Sequence, residues 1–245
     1  PWTPRAYFDY EKFYEVNYEA MRLSDDLIDL EVKHIDKIIA KIHADPEDVE
    51  IKYVELRLWN KVKETATASR RTGLGFTALG DTLAALGLKY DSDKSLEIID
   101  KIMETKMESE LDCTIDLAIL RGTFTGFDAH LEFNHLPDEG DTWEVTDGNN
   151  DFYKFLYKKF PKQAIRMCNH GRRNVSWSTV APTGSVSILT QTTSGVEPLF
   201  MPFYMRRKKV NPSDKDVKID FTDQNGDTWQ EFPVLHPQFR EWLSS

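Results

Sequence analysis

The sequence predicts an α/β fold in which helices fill about the first two-thirds of the chain and short strands follow. Apolar residues recur at three- and four-residue spacing over most of residues 10–170, which is the period of amphipathic helices. After Arg173 the spacing changes to the alternation of half-buried strands. The pair Asn225-Gly226 then separates two strand candidates, and this dipeptide favours a tight hairpin. We therefore predict a helical section over residues 1–170 and an α/β section with a β-hairpin over residues 171–245.

Two long helices are predicted in the first quarter of the chain. The first spans residues 10–44, where apolar residues, among them Phe13, Met21 and Ile35, recur at helical spacing with acidic and basic residues between them. Asp45-Pro46 ends it and starts the second, because Asp caps free backbone N–H groups and Pro is tolerated at the first helical position. Apolar positions continue this second helix to about residue 63.

Two further helices follow before residue 122. Residues 72–86 are rich in Ala, Leu and Gly, which predicts a buried helix ending at Gly87, the residue type that best adopts the left-handed conformation. Ser92 opens another helix, which runs to about Arg121 and is closed by Gly122.

The rest of the chain is predicted to mix irregular, helical and extended segments. Residues 122–150 carry Gly, Pro, Asp and Asn without a period, which indicates an insertion or a functional loop. Residues 151–168 return to helix, with Pro161 as a break. The strand candidates are residues 175–181, 200–210, 217–221 and 228–235.

Composition excludes several classes of protein. The chain has 245 residues, 40% of them hydrophobic, so it can bury a core and disorder is not expected. Its net charge of -10 argues against a surface that coats nucleic acid. No stretch approaches the roughly 20 apolar residues of a membrane span, so no membrane partner is expected.

The cysteines and the chain ends suggest further expectations. Cys113 and Cys168 stand alone, without a C-x-x-C partner, which argues against a disulfide framework or a zinc knuckle and favours a reducing cytoplasm. The first residue is not Met, and the last residues read as part of a helix. This pattern suggests a processed or excised segment, although a chosen boundary would look the same.

One segment has the composition of an anion-binding turn. APTGSVS at residues 181–187 follows the strand candidate that ends at Val180 and precedes Ile188-Leu189-Thr190, a candidate first helical turn. Such a joint can offer unpaired backbone N–H groups to an anion, with hydroxyls from Thr183 and Ser185 as added donors. Composition alone favours the alternative of an ordinary capped turn, because Ser, Thr and Gly are common at helix starts.

Two motifs resemble those of one enzyme family. RRTGLGFTALGDTLA at residues 70–84 resembles the R-R-x-G-L-G-x-x-x-L-x-D-x-L-A segment of ribonucleotide reductase large subunits. APTGSVS at 181–187, followed by SGVEP at 194–198, resembles the family's A-P-T-G-[ST]-[IV]-S and S-G-[IV]-E-P segments. The two occur in the family's order, and the flanking residues resemble it over essentially the whole chain.

The resemblance implies a ten-stranded α/β barrel, of which this chain is an incomplete part. Residues 1–170 would form helical wall, and residues 171–245 would carry the loop that binds the phosphates of the substrate. The residues to which the resemblance assigns this role are Ala181, Pro182, Thr183, Gly184, Ser185 and Val186.

The family's radical chemistry is expected outside this sequence. The family uses a cysteine in an Asn-x-Cys-x-Glu loop and a cysteine pair as reductant, and no Asn-x-Cys-x-Glu occurs here. No catalytic residue is therefore assigned, and the chain is expected to be inactive alone. The resemblance implies that it is a middle section of the reductase, which needs the remaining parts of the chain as partner.

The resemblance also suggests the cofactor and the ligands. The sequence APTGSVS and the compact helical region resemble most the adenosylcobalamin-dependent type of the family. The type with a separate radical-generating subunit shares much of the same helical wall. The expected substrate is a ribonucleoside di- or triphosphate, and a homodimer is one of the oligomeric states left open. A rival reading is a non-catalytic structural or assembly module that completes a fold with another chain.

Other signals have simpler explanations. Gly73-x-Gly75-x-x-Ala78 fits a loose dinucleotide fingerprint, but a charged stretch precedes it where a strand is required. His130, Glu132 and His135 suggest a metal site only weakly, and no metal is assigned. The basic run 205–209 is interpreted as an exposed strand edge, with a site near bound phosphate as the alternative.

Two remaining signals are read as packing or left open. Arg172 and Arg173 remain ambiguous between phosphate contact and structure. The aromatic residues between 152 and 160 are read as core packing.

Overall fold

A computed structural model of the chain describes residues 1–133, 151–211, 213–214 and 216–245. Within these ranges the helices are α1 (Tyr10–Ala44), α2 (Val49–Ser69), α3 (Leu79–Ala85), α4 (Asp93–Arg121), α5 (Ala129–Glu132), α6 (Asp151–Lys159), α7 (Pro161–His170), α8 (Gly184–Thr190) and α9 (Pro237–Ser244). The strands are β1 (Phe203–Lys209), β2 (Phe221–Thr222) and β3 (Thr228–Leu235). None of the described helices combines the length and apolar character needed to cross a membrane.

The chain divides into two compact units, and each is built from segments that are separate in the sequence. One unit comprises residues 1–8, 76–96 and 180–245, and the other comprises residues 9–75 and 97–179. We call them the loop unit and the helical unit. Each draws on residues from well before position 170, so both assemble from distant parts of the chain.

The first helix of the helical unit follows the sequence closely, whereas both ends of the second need correction. Helix α2 continues to Ser69, beyond the predicted end near residue 63. The predicted helix over residues 10–44 is confirmed, and it begins after Asp9, whose carboxylate accepts a hydrogen bond from the Lys12 backbone N–H at 2.9 Å. The predicted start of α2 at Asp45-Pro46 is wrong. Asp48 is the N-cap instead, and it accepts from the Glu50 backbone N–H at 2.9 Å. Two Asp residues, 45 and 48, lie between α1 and α2, and the later one has the capping geometry.

The core of the helical unit lies where α1, α4, α6 and α7 meet. Tyr14 and Tyr18 on α1 donate hydrogen bonds to Asp112 and Asp116 on α4, at 2.7 and 2.8 Å. Apolar side chains from these helices and from neighbouring segments are enclosed there. The buried cluster comprises Met21, Leu111, Cys113, Ile115, Leu117, Phe133, Tyr153, Leu156, Tyr157, Phe160, Ala164, Met167, Cys168 and Trp177.

Helix α3 begins only at Leu79 and residues 72–78 are not helical, so the predicted helix over 72–86 is wrong in its first half. The backbone N–H groups of Thr72 and Leu74 donate to the carbonyls of Ser176 and Trp177, at 3.0 and 2.8 Å. The two segments run parallel, with a bridge between Leu74 and Ser178. A Cβ atom at Gly73 would lie 3.2 Å from Thr179 Cγ2, so the glycine allows this close approach.

The remaining predicted helices are confirmed within about one residue at most ends. Helix α4 runs from Asp93 to Arg121, and Gly122 follows it with a φ of 85°. Pro161 separates α6 from α7 and occupies the first turn of α7, where its missing N–H costs no helical hydrogen bond. The irregular segment 122–150 contains the short α5 at residues 129–132, and residues 134–150 lie outside the described ranges.

The strands of the loop unit form one antiparallel sheet in the order β1-β3-β2. The Asn225-Gly226 turn joins β2 to β3, which confirms the predicted hairpin, and Gly226 has a φ of 83°. The candidate over 217–221 shrinks to Phe221–Thr222. The candidate over 175–181 forms no strand, because its pairing in the helical unit is an isolated bridge at Ser178.

Candidate functional site

The loop over residues 181–187 leads into α8, but the predicted helix start is wrong, because Ile188-Leu189-Thr190 forms the last turn of the helix and not the first. Helix α8 begins at Gly184 and its N-cap is Thr183, whose φ of 50° is left-handed. Pro182, Gly184, Ser185 and Val186 are exposed, and Ala181 and Thr183 are half-buried. All six residues assigned from the resemblance therefore lie together on an accessible turn. A left-handed conformation at a residue other than Gly is strained and is often found at functional sites.

The backbone of this loop leaves donors free. The first helical hydrogen bond of α8 runs from the Ser187 N–H to the Thr183 carbonyl at 2.8 Å. In the part of the chain that the structure describes, the N–H groups of Gly184, Ser185 and Val186 have no backbone or side-chain acceptor. Thr183 does not cap them with its side chain. Three adjacent N–H groups on an exposed turn can bind an anionic oxygen.

The hydroxyl of Thr183 faces the following segment. Its Oγ1 accepts a hydrogen bond from the Gly195 N–H at 2.7 Å. Gly195 has a φ of 49°, and a Cβ atom there would lie 2.8 Å from the Ala181 carbonyl oxygen. The loop is thus closed by residue 195, which only Gly can occupy without displacing the backbone.

A second link closes the loop from its helical side. The hydroxyls of Ser187 and Ser194 are 2.8 Å apart, and the Ser187 hydroxyl also lies 2.9 Å from the Gly184 carbonyl. Since each hydroxyl has one hydrogen, Ser187 donates to Gly184 and accepts from Ser194. No role was predicted from the sequence for residues 187, 194 and 195. Their places in the APTGSVS and SGVEP motifs were the available signal.

The site has the chemistry of binding and lacks that of group transfer. Its groups are backbone N–H donors, the exposed Ser185 hydroxyl and the flanking carbonyls. Among the described residues no cluster of three or more His, Cys, Asp or Glu side chains has the geometry of a metal site. The arrangement can orient a phosphate, but the loop itself offers neither a thiol nor a general base.

Both cysteines are enclosed in the helical unit. Cys113 on α4 is fully buried, and burial together with nearby carboxylates raises the pKa of its thiol to about 12. Cys168 on α7 is 5% exposed, and burial raises its pKa to about 11. Thiols with raised pKa values in apolar surroundings are unreactive. The prediction that neither cysteine occupies an active position is consistent with this burial.

The arginines left open by the sequence have structural partners. Arg172 is buried, pairs with Glu132 and lies over the ring of Phe124, at 5.0 Å from its centre. Arg173 donates to the carbonyls of Arg121 and Gly122 at the end of α4, at 2.9 and 3.0 Å. Both side chains therefore stabilise the helical unit.

The basic run, the candidate metal ligands and the dinucleotide-like glycines also have structural explanations, as far as the structure describes them. The basic run 205–209 lies on β1, an exposed strand at the edge of the sheet. Glu132 is taken up by Arg172 and Tyr153, and His135 lies outside the described residues. Helix α2 precedes Gly73 where a dinucleotide-binding fold would need a strand, so that rival reading is not supported.

Comparison with known proteins gives a consistent result. The family described as "Ribonucleotide reductase, barrel domain" matches residues 3–231. A vitamin B12-dependent ribonucleoside-diphosphate reductase of Mycobacterium tuberculosis is 27% identical over 199 residues, which cover 81% of this chain and 20% of the relative. A protein of the same name from Thermoplasma acidophilum is 26% identical over 198 residues, or 81% of this chain and 18% of the relative.

Relatives with another name match a shorter region. A ribonucleoside-diphosphate reductase subunit alpha of Helicobacter pylori is 29% identical over 147 residues, covering 57% of this chain and 18% of the relative. The chain thus spans about a fifth of the length of the curated relatives that it matches.

Proposed function

Because this chain belongs to the ribonucleotide reductase barrel-domain family, we propose that it supplies the substrate-phosphate loop of an enzyme that reduces ribonucleotides to 2′-deoxyribonucleotides. The family match confirms the α/β fold class and the enzyme family predicted from the two motifs. The observation that carries the loop assignment is the set of three N–H groups at residues 184–186, which have no acceptor among the described residues and lie on an exposed turn. Ribonucleoside diphosphates are the proposed substrates, since the relatives are named for them.

The loop residues divide into groups that touch the phosphate and groups that shape the turn. The N–H groups of Gly184, Ser185 and Val186 and the Ser185 hydroxyl are the proposed phosphate donors. The Thr183 hydroxyl already accepts a hydrogen bond from the Gly195 N–H, so Thr183 acts by holding the turn in its left-handed conformation. Ala181 and Pro182 lead into the turn and allow the phosphate to approach it.

The proposed cofactor of the complete enzyme is adenosylcobalamin, as the names of the matched vitamin B12-dependent relatives suggest. When bound, it supplies the radical that a cysteine thiol of the enzyme carries to the substrate. The thiols of this chain do not fit that contact, because Cys113 and Cys168 are enclosed and have raised pKa values. We therefore assign no residue of this chain to the cofactor and no chemical step to its cysteines.

A reductase whose radical comes from a separate subunit is the second candidate. The match to the Helicobacter pylori subunit alpha favours it, although that match covers less of the chain. The two candidates differ in what restores activity to the complete enzyme. Adenosylcobalamin alone should suffice for the first, whereas the second should require a metal-loaded partner subunit.

The loop assignment is tested by replacing Gly184 with valine in the complete reductase. A Cβ atom at residue 184 meets no protein atom within 4 Å, so valine fits there without displacing the protein and adds bulk next to the proposed phosphate donors. Calorimetric affinity for a ribonucleoside diphosphate should fall about tenfold or more, because hydrogen bonds to a charged group are lost. Affinity for the nucleoside without phosphates should stay unchanged.

Thr190→Val is the matched control. It places the same side chain at the other end of α8, on an exposed position without a proposed ligand contact. Diphosphate affinity should be retained in this variant. Equal diphosphate affinity in the Gly184→Val protein and the unaltered protein would refute the loop assignment.

A further inference from the structure

Asp81 is a nearly buried carboxylate in the first turn of α3, and both of its oxygens are engaged within the loop unit. It is 8% exposed. Its Oδ2 accepts a hydrogen bond from the backbone N–H of Thr193 at 2.8 Å, and its Oδ1 lies 2.8 Å from Nε2 of His236. These partners are 112 and 155 positions later in the chain. A buried carboxylate with two directed partners fixes the position of both.

The backbone N–H, the carbonyl and the hydroxyl of Thr193 all form hydrogen bonds. Besides the bond from its N–H to Asp81, its hydroxyl lies 3.3 Å from the Asp81 backbone N–H and accepts from it. Its carbonyl accepts from the Ala78 N–H at 2.9 Å and from the Thr77 hydroxyl at 2.7 Å. Residue 193 is 5% exposed. The segment that begins there is therefore anchored to α3 and to the residues just before it.

The two residues after Thr193 are those that close the phosphate loop. Ser194 contacts the Ser187 hydroxyl at 2.8 Å, and Gly195 donates to the Thr183 hydroxyl at 2.7 Å. A shift of residue 193 thus moves both closing contacts of the loop together. The Asp81 carboxylate contacts Thr193, the residue just before these two, and contacts none of the proposed phosphate donors.

His236 orients the carboxylate from the other side. An ionised carboxylate only accepts hydrogen bonds, so Nε2 of His236 carries the hydrogen and donates it to Oδ1. His236 is also the residue before α9, but its side chain makes no capping hydrogen bond there. The polar contact that the structure describes for the imidazole is with Asp81. The start of α9 therefore does not depend on this side chain.

We propose that Asp81 and His236 are positioning residues for the substrate phosphate, acting on the loop through Thr193. His236 fixes the rotamer of Asp81, Asp81 fixes the backbone of Thr193, and the residues after Thr193 hold the turn that presents the N–H groups of residues 184–186. This role rests on the proposed function of the loop. It extends the site to two side chains that do not touch the ligand.

The test uses His236→Leu and His236→Gln in the complete reductase. Leucine removes the donor, whereas the amide of glutamine can still donate to Asp81. We expect His236→Leu to weaken ribonucleoside diphosphate binding about tenfold, as loss of one well-placed hydrogen bond does. Nucleoside affinity should be unchanged, KM should rise more than kcat falls, and His236→Gln should recover most of the diphosphate affinity.

The outcomes separate this role from a general structural one. If His236→Leu weakens nucleoside and diphosphate binding equally, or if glutamine fails to restore the difference, the pair only supports folding and the inference is wrong. Circular dichroism and nucleoside affinity identify a variant that has lost its fold, and Asp81→Asn then provides the same comparison with a side chain of equal size.

The Gly184→Val variant distinguishes the inference from the function on which it rests. If Gly184→Val weakens diphosphate binding and His236→Leu does not, the loop assignment stands and the positioning role is refuted. If Gly184→Val has no effect, the loop is not the phosphate site and both proposals fail.

Discussion

The guanidinium of Arg70 donates from Nε to Oδ1 of Asp25 at 2.8 Å, and both side chains are enclosed in the helical unit. Arg70 ends α2 in a left-handed conformation, and a second donor of its guanidinium reaches the Asp25 backbone carbonyl at 2.9 Å. Arg121 and Asn174 also donate to the Asp25 carboxylate, at 3.1 and 3.0 Å. One buried acid on α1 thus connects the ends of α2 and α4 with the extended segment near residue 174.

Replacing Asp25 with asparagine should strongly destabilise the chain. The amide would remove the buried counter-charge of Arg70 and leave only Asp29, which is exposed, and breaking a buried pair costs about 3 to 5 kcal/mol. Urea unfolding followed by circular dichroism measures this loss. Asp36→Asn is the control, since Asp36 pairs with Lys63 at the surface and should cost less than about 1 kcal/mol. Equal losses in the two variants would contradict the importance of burial.

The stability that Asp25 contributes should depend on pH in the acidic range. Burial opposes its ionisation, but hydrogen bonds and charges from Arg70, Asn174 and Arg173 outweigh it and lower its pKa below the ordinary 3.8. A lowered folded-state pKa means that the contribution is present above pH about 4 and is lost as the pH falls through the folded value. The stability difference between the unaltered chain and Asp25→Asn should therefore shrink from pH 7 to pH 3. A constant difference would contradict this assignment.

The buried pair of Lys106 and Glu110 offers a double-mutant test. Lys106 Nζ lies 2.5 Å from Glu110 and also donates to the Leu74 carbonyl at 2.9 Å and the Ser178 hydroxyl at 2.8 Å. Burial raises the pKa of Glu110 despite the neighbouring ammonium. Lys106→Met should cost about 3 kcal/mol in urea unfolding, because it leaves a buried carboxylate without a cation. The double variant Lys106→Met, Glu110→Leu should recover part of that loss. A double variant that is less stable than Lys106→Met alone would refute the pairing.

Both cysteines should react slowly with alkylating reagents in the folded chain. Burial raises the pKa of Cys113 to about 12 and that of Cys168 to about 11, so little thiolate is present at neutral pH. Mass spectrometry after iodoacetamide treatment measures the rate, and Ser245→Cys supplies an exposed thiol for comparison. Reduction by the complete enzyme should survive Cys113→Ser and Cys168→Ser. Loss of turnover in a folded variant would show that a working thiol lies in this chain.

The purified 245-residue chain should not form deoxynucleotide by itself. Abstraction of a ribose hydrogen needs a sulfur radical positioned against the sugar, and both described thiols are enclosed. Chromatography of products after incubation with a ribonucleoside diphosphate, adenosylcobalamin and a dithiol tests this directly. Addition of a polypeptide that carries the Asn-x-Cys-x-Glu segment and the missing strands should restore product. Deoxynucleotide from the chain alone would overturn the proposal.

The helical periods predicted the long helices well, whereas the short extended segments escaped prediction. Residues 10–44 and 93–121 are long enough for their apolar spacing to be unambiguous. Residues 72–75 contain two glycines within an apolar stretch, which reads as helix packing in the sequence. Their extended form depends on hydrogen bonds to residues 176–179, about a hundred positions away, and no local pattern carries that information.

The candidate site divides in the same way. The turn at residues 181–186 was predictable because Thr, Gly and Ser before an apolar run indicate a helix start. The motif resemblance added phosphate as the expected ligand. The segment that closes the turn was not predictable as such. Ser194 and Gly195 act through single contacts to Ser187 and Thr183, and Asp81 acts on Thr193 from 112 positions earlier.

The interleaving of the two units has a consequence for how the protein is made. Residue 81 leaves the ribosome long before His236, and at about 5 to 20 residues per second the 155 intervening positions take on the order of ten seconds. During that time the helical unit can complete its own segments up to residue 179, while α3 waits without its partners. Nascent chains stalled after residue 179 has left the ribosome and before His236 is synthesised should therefore carry a protected helical unit and a protease-sensitive α3.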